Sequence, residues 1–130
     1  MSQKKVLVAE DEPDIRQLIT YSLQFAGFAV VQAVNGEDAV QKATKEQPDL
    51  ILLDVRMPKM NGYEACAVLK AQDSTRAIPV VFLSARGQEA EIKHGLELGA
   101  EEYFLKPFAP DDLYKRVTTL LERLSRSKSG

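Results

Sequence analysis

Four places in the chain set a chemically competent side chain directly after a short apolar run. Val6-Leu7-Val8-Ala9 breaks into Glu10, Asp11 and Glu12, and at once into Pro13. Leu50-Ile51-Leu52-Leu53 runs into Asp54, Val80-Val81-Phe82-Leu83 into Ser84, and Tyr103-Phe104-Leu105 into Lys106-Pro107. If these groups meet, two carboxylates about 5 Å apart repel by roughly 3 kcal/mol at an effective dielectric of 20. Lys106 alone leaves such a pocket anionic. A hard divalent cation relieves the excess, and an all-oxygen site suits Mg²⁺. A metal beside a carboxylate, with a lysine and a hydroxyl opposite, is an arrangement for handling a phosphoryl group. The cations neutralise the phosphoryl oxygens while the carboxylate attacks.

The elements that would have to bring these groups together are legible in the apolar spacing. Val6–Ala9, Ala29–Ala33, Leu50–Leu53, Val80–Leu83 and Tyr103–Leu105 read as buried strands, short and bounded by breakers. Between them the spacing is helical. Ile15, Leu18, Ile19 and Ala26 are expected on one face of a first helix, and Leu113, Val117, Leu120, Leu121 and Leu124 on one face of a last. Pro13 suits the first turn of a helix capped by Asp11 or Glu12. Asn35-Gly36 and Asn61-Gly62 resemble hairpin signals, but helical spacing follows each, so Asn as a helix N-cap is the better account. A fourth helix over Gln88–Leu98 carries Gly95, has the poorest periodicity and is expected to be the least rigid. Ser125–Gly130 reads as a frayed polar tail. Five strand–helix repeats imply a parallel sheet covered on both faces, with ligands bound beyond the carboxyl ends of its strands. The acids, Ser84 and Lys106 all follow such ends; the second strand ends in Val34-Asn35 and adds little.

Bulk properties narrow the setting. A chain of 130 residues, 45% hydrophobic and 28% charged, suits one globular domain with an ordinary core. A net charge of −2 with no basic stripe gives no support to a nucleic-acid or anionic-membrane binder. Cys66 is the single cysteine, so no intrachain disulfide forms, and it is expected to be a small buried hydrophobe. No apolar run approaches the roughly 18 residues of a membrane span, and no signal-peptide core follows Met1. A cytoplasmic location is expected. His94, the one histidine, reads as a solvated helix residue, and Met57 and Met60 as packing around Pro58.

The segments "VLVAEDEP", "DLILLDVRMPKMNGYEA", "IPVVFLSAR" and "GAEEYFLKPF" together resemble the receiver domain of bacterial two-component response regulators, in the family's order and spacing, from Lys4 to about Leu124. The resemblance implies a receiver domain over residues 1–124, with 125–130 as tail. Its fold would be a doubly wound, flavodoxin-like α/β sheet of five parallel strands in order 2-1-3-4-5 with five helices. It implies that Asp54 accepts a phosphoryl group from a sensor histidine kinase or a phosphotransfer protein. Mg²⁺ would be held by Glu10, Asp11, Asp54 and the backbone carbonyl of Arg56, with Asp11 a direct ligand and Glu10 placing water. Ser84 and Lys106 would hold phosphoryl oxygens, and Lys106-Pro107 would be a cis peptide. As the Ser84 hydroxyl moves toward the phosphoryl group, Tyr103 would turn into the space it leaves. That repacks the face of the fourth helix, fifth strand and fifth helix, where a downstream protein binds. Glu10 stands where the family more often has aspartate, and Ser84 where threonine is more frequent. Arg56 and Arg86 occupy positions that tune phosphoryl lifetime; shielding of Asp54 from water by these guanidinium groups is expected.

Rival chemistries fit less well. Haloacid-dehalogenase-like phosphatases need a second aspartate two residues after the nucleophile, and that place is Arg56. A nucleotide or flavin site lacks its phosphate loop, since no GxxxxGKS/T occurs and three acids follow the first strand. A receiver used only for docking would not need the full acid–serine–lysine set. The expected protein is therefore a phosphoacceptor switch rather than an enzyme acting on a metabolite. It has no direct nucleic-acid or membrane partner and is a monomer, with dimerisation on phosphorylation left open. A module of a longer regulator with a DNA-binding or enzymatic output is the alternative.

Overall fold

The computed structural model describes residues 3–84, 89–106 and 109–129. Its element order is β1(Lys5–Ala9), α1(Pro13–Phe25), β2(Ala29–Ala33), α2(Gly36–Glu46), β3(Leu50–Asp54), α3(Gly62–Ala71), β4(Val80–Ser84), α4(Glu89–Glu97), β5(Glu102–Leu105) and α5(Pro110–Ser129). All strand pairings are parallel, and the sheet order is β2-β1-β3-β4-β5. Direction across the sheet reverses at β1 and β3, and the crevice there is where ligands of doubly wound sheets bind.

Alternation along each strand sorts the apolar side chains into two cores. Val6, Val8, Leu50, Leu52, Val81, Leu83 and Phe104 face α1 and α5, where they meet Ile19, Leu23, Leu113, Val117 and Leu120. Leu7, Ala9, Ile51, Leu53, Val80, Phe82 and Tyr103 face the other way, onto Ala39 and Ala43 of α2 and Ala65, Cys66 and Leu69 of α3. β3 and β4 are buried along their whole length because both faces are covered, which is why they read as unbroken apolar runs.

The caps follow the sequence. Asn35 accepts from the Asp38 amide, and Asn61 and Glu64 form a reciprocal capping box that starts α3. Glu12 takes the N-cap position of α1 without a side-chain cap hydrogen bond, with Pro13 in the first turn.

Two expectations are corrected. The buried residues of α1 are Ile19, Thr20, Ser22 and Leu23 with Ile15 half-buried, whereas Leu18 is 48% exposed and Ala26 is exposed. Positions 15, 19, 22 and 23 repeat at i, i+4, i+7 and i+8, and the small Ser22 fits the stripe where Leu18 falls off its edge. α5 runs to Ser129, so the backbone of Ser125–Ser129 is helical rather than frayed. Arg126 and Lys128 are good helix formers, and no proline or glycine intervenes before Gly130.

Candidate phosphoacceptor and metal site

The site is built at the carboxyl ends of β1, β3, β4 and β5. Glu10 follows β1 and has no solvent exposure; its amide donates to the Ala33 carbonyl at 3.1 Å. Asp54 is the last residue of β3, 6% exposed, and Ser84 the last of β4, 5% exposed. Both therefore sit on sheet backbone rather than in loops. Register sets them side by side, since Asp54 pairs with Leu83. Lys106 directly follows β5, and its amide donates to the Ser84 carbonyl at 2.7 Å. Gly62 opens α3 against the backbone of Asp54 and Val55, where an added Cβ would collide with the Asp54 carbonyl. Glycine is what lets α3 begin this close to the site.

Carboxylate oxygens of Glu10, Asp11 and Asp54 lie within 4.8 Å of one another. The Lys106 ammonium donates to Glu10 Oε1 at 2.7 Å and to Asp54 Oδ2 at 3.1 Å. The other Glu10 oxygen accepts from the Glu12 amide at 3.2 Å, and Asp54 Oδ1 from the Arg56 amide at 3.3 Å. Burial raises the Glu10 carboxyl above its ordinary value; Asp54 adds to this, and Lys106 only partly offsets it. Asp11 is raised by burial and then by Glu10. For Lys106, burial works to lower the ammonium, but Glu10 and Asp54 together outweigh it and hold it above its usual range.

Three carboxylates against one ammonium leave the cluster electron-rich, and every donor is oxygen. That donor set fits a hard divalent cation such as Mg²⁺ far better than a softer metal. Glu10, Asp11 and Asp54 would hold it.

Arg56 is exposed and lines the cleft beside the acids together with Asp11, Met57, Asn61, Tyr63 and Glu91. Tyr103 is 9% exposed and turned inward, on the α3–α4 side of the sheet away from the carboxylates. Arg86, and Pro107 of the expected cis peptide, lie outside the described residues. His94 is exposed and Cys66 buried, as expected.

Two contributors escaped the sequence reading. Arg16 of α1 donates from Nη1 to the Glu10 carbonyl at 2.8 Å and from Nε to Gln32 at 3.0 Å, clamping the acidic loop onto β2. Tyr63 places its hydroxyl 3.3 Å from that of Tyr103. Gln32 and Tyr103 lie on other strands, 16 and 40 residues away, so these contacts carry no local signal.

A doubly wound parallel sheet with acids after β1 and β3, and a lysine after β5 bonded to both, defines a flavodoxin-like module with an anionic, cation-seeking site. The response regulator receiver domain model matches residues 6–118, and the chain belongs to that family. It is a receiver domain of two-component response regulators.

The chain is 43% identical over 120 residues to the alkaline phosphatase synthesis transcriptional regulatory protein PhoP of Bacillus subtilis, covering 92% of this chain and 49% of that protein. The chain spans about half the length of the curated relatives it matches. Among solved structures, chemotaxis response regulator CheY4 of Vibrio cholerae superposes with a TM-score of 0.86 at 33% identity, over 91% of this chain and 98% of that one. The BeF3-activated DrrB receiver domain superposes with a TM-score of 0.83 at 30% identity, over 93% and 99%. Among the described residues no helix is long and apolar enough to cross a membrane.

Proposed function

We propose that Asp54 is the phosphoacceptor of a Mg²⁺-dependent switch, charged by the phosphohistidine of a sensor kinase or phosphotransfer protein. An Asp54 carboxylate oxygen attacks phosphorus, the P–N bond to the donor imidazole breaks, and the imidazole leaves with that electron pair. The product is an acyl phosphate, which water later hydrolyses. Mg²⁺, when bound, supplies charge neutralisation at the phosphoryl oxygens. Lys106 neutralises charge from the opposite side, Ser84 donates its hydroxyl to a phosphoryl oxygen, and burial keeps bulk water from Asp54. Glu10, Asp11, Asp54 and the Arg56 carbonyl would hold the ion. The observation that carries this reading is the clustering of Glu10, Asp11 and Asp54 within 4.8 Å with Lys106 bonded to two of them. Output follows through the face of α4, β5 and α5, where Tyr103 repacks and a protein partner binds.

Incubation with acetyl phosphate and Mg²⁺, followed by intact mass, tests the assignment. The wild type gains one phosphoryl group, and Asp54→Asn gains none. A variant that is still modified would overturn Asp54 as acceptor.

A second reading of the output is favoured by PhoP, named a transcriptional regulatory protein and about twice as long as this chain. There the switched face acts on the remainder of a longer polypeptide. An immunoblot of source cells distinguishes the two: a band near 14.5 kDa supports a free-standing switch, and a band about twice as heavy supports the longer regulator.

A further inference from the structure

Tyr63 is the second residue of α3, and its side chain reaches across three elements. Its ring packs edge-on against Phe82 of β4, with centroids 5.0 Å apart and planes at 76°. On another side it meets His94 of α4 at 4.9 Å and 81°. Its hydroxyl lies 3.3 Å from the Tyr103 hydroxyl on β5 and 3.5 Å from the Glu91 carbonyl on α4. Tyr103 in turn tilts against Phe82 at 6.1 Å.

Hydrogen-bond accounting favours one polarity. If Tyr63 donates to the Glu91 carbonyl and accepts from Tyr103, both hydroxyl protons are used. A tyrosine turned inward needs such a partner, because an unpaired hydroxyl away from water is costly. Burial, and Tyr103 beside it, hold the Tyr63 phenol above its ordinary range, so it stays protonated and able to donate. Gly95 lets α4 close on the cluster: a Cβ there would lie 2.9 Å from Phe82 Cδ2 and 3.2 Å from Tyr103 Cδ2. The position of α4 and the rotamer of Tyr103 are thus packed against each other.

We propose that Tyr63 is a positioning residue for the switch: its hydroxyl holds Tyr103 turned in and, through the Glu91 carbonyl, joins that rotamer to the place of α4. The proposal rests on the reading in which Asp54 accepts phosphorus and Tyr103 responds. Linkage gives it a measurable consequence. If phosphorylation favours the inward rotamer, whatever Tyr63 adds to that rotamer it also adds to affinity for a phosphoryl mimic at Asp54. Both hydroxyl contacts are long for O–H···O bonds, so the effect is a small multiple rather than orders of magnitude.

The test titrates beryllium fluoride with Mg²⁺ into 3-fluorotyrosine-labelled protein and follows it by fluorine NMR. Tyr63→Phe keeps the ring contacts and removes the hydroxyl. It is expected to move the Tyr103 resonance toward that of an exposed tyrosine and to weaken mimic binding about two- to fivefold. In a Tyr103→Phe background the same substitution should cost clearly less, since the contact between the two hydroxyls is already gone and only the one to the Glu91 carbonyl remains. An unchanged Tyr103 resonance and affinity, or an equal loss in both backgrounds, overturns the positioning role while leaving the phosphoacceptor reading intact. Wild-type protein that binds no mimic overturns both.

Discussion

Glu10 and Lys106 are 96 residues apart in the chain, yet Lys106 Nζ lies 2.7 Å from a Glu10 carboxylate with no solvent exposure. The same ammonium reaches Asp54 at 3.1 Å, so one cation serves two buried anions. Stability and function pull in opposite directions around it. The acids that attract a metal are the acids that repel each other without one.

Removing the cation should therefore be costly. Lys106→Met leaves Glu10 and Asp54 buried without the ammonium that pairs with both, and breaking a buried pair from one side costs about 3–5 kcal/mol. The Lys106 side chain is 16% exposed, which lets water share the load, so the low end of that range is expected. Denaturant unfolding without divalent cations measures it. A loss below about 1 kcal/mol would show that the pair is solvated in solution.

The opposite sign is expected for Glu10→Gln. The amide keeps the shape and removes one of three mutually repelling charges; its oxygen still accepts from Lys106, and the lost bond from the Glu12 amide offsets only part of the relieved repulsion. The metal-free protein should gain stability and lose Mg²⁺ affinity together. At a Mg²⁺ concentration 100 times its dissociation constant, the wild type should gain about 2.7 kcal/mol by mass action. At the same concentration the variant should gain visibly less. Parallel unfolding curves with and without Mg²⁺ decide it, and equal gains in the two proteins would remove Glu10 from the metal site.

Much of this architecture was legible in the chain because burial on both faces leaves an unmistakable mark. β3 and β4 appear as unbroken apolar runs, and each chemical group of the site abuts such a run. Asn35 and Asn61 announce α2 and α3 through side chains that bond within four residues. What stayed hidden depends on neighbours that only the fold supplies. Arg16 finds Gln32 on β2, and Tyr63 finds Tyr103 forty residues away. α1 misleads for a related reason. Leu18 is apolar in type but 48% exposed, while the small polar Ser22 is buried, so residue type alone keeps Ile15 and Ile19 on the stripe but adds Leu18 and misses Ser22.

The membership of the α1 stripe can be checked by paired substitutions. Ile19→Ala empties a fully buried site and should cost about 2–5 kcal/mol. Leu18→Ser, one residue earlier, should stay within about 0.5 kcal/mol of wild type. Comparable losses at the two positions would mean that Leu18 is packed as firmly as Ile19 and that the stripe is not the one described.

The raised Glu10 and Asp11 carboxyls set the direction of the pH response. In the unfolded chain both titrate in the ordinary carboxylate range, and in the folded chain both hold their protons to higher pH. Across the window between, the folded state binds more protons than the unfolded one, so stability falls as pH rises through it. Lys106 keeps its proton throughout, because its folded value is also raised, and its contribution is lost only at alkaline pH. These two carboxyls should thus favour the metal-free fold more at mildly acidic pH than at neutrality, opposing the usual acid-induced loss. Mg²⁺ competes with protons for the same oxygens, so adding it should lift the neutral end and leave the acidic end nearly unchanged. Melting temperatures across this range, for wild type and Glu10→Gln with and without Mg²⁺, separate the contributions. If the wild type minus variant difference stays flat with pH, Glu10 is not titrating in that window and the electrostatic account of the site fails at its most buried member.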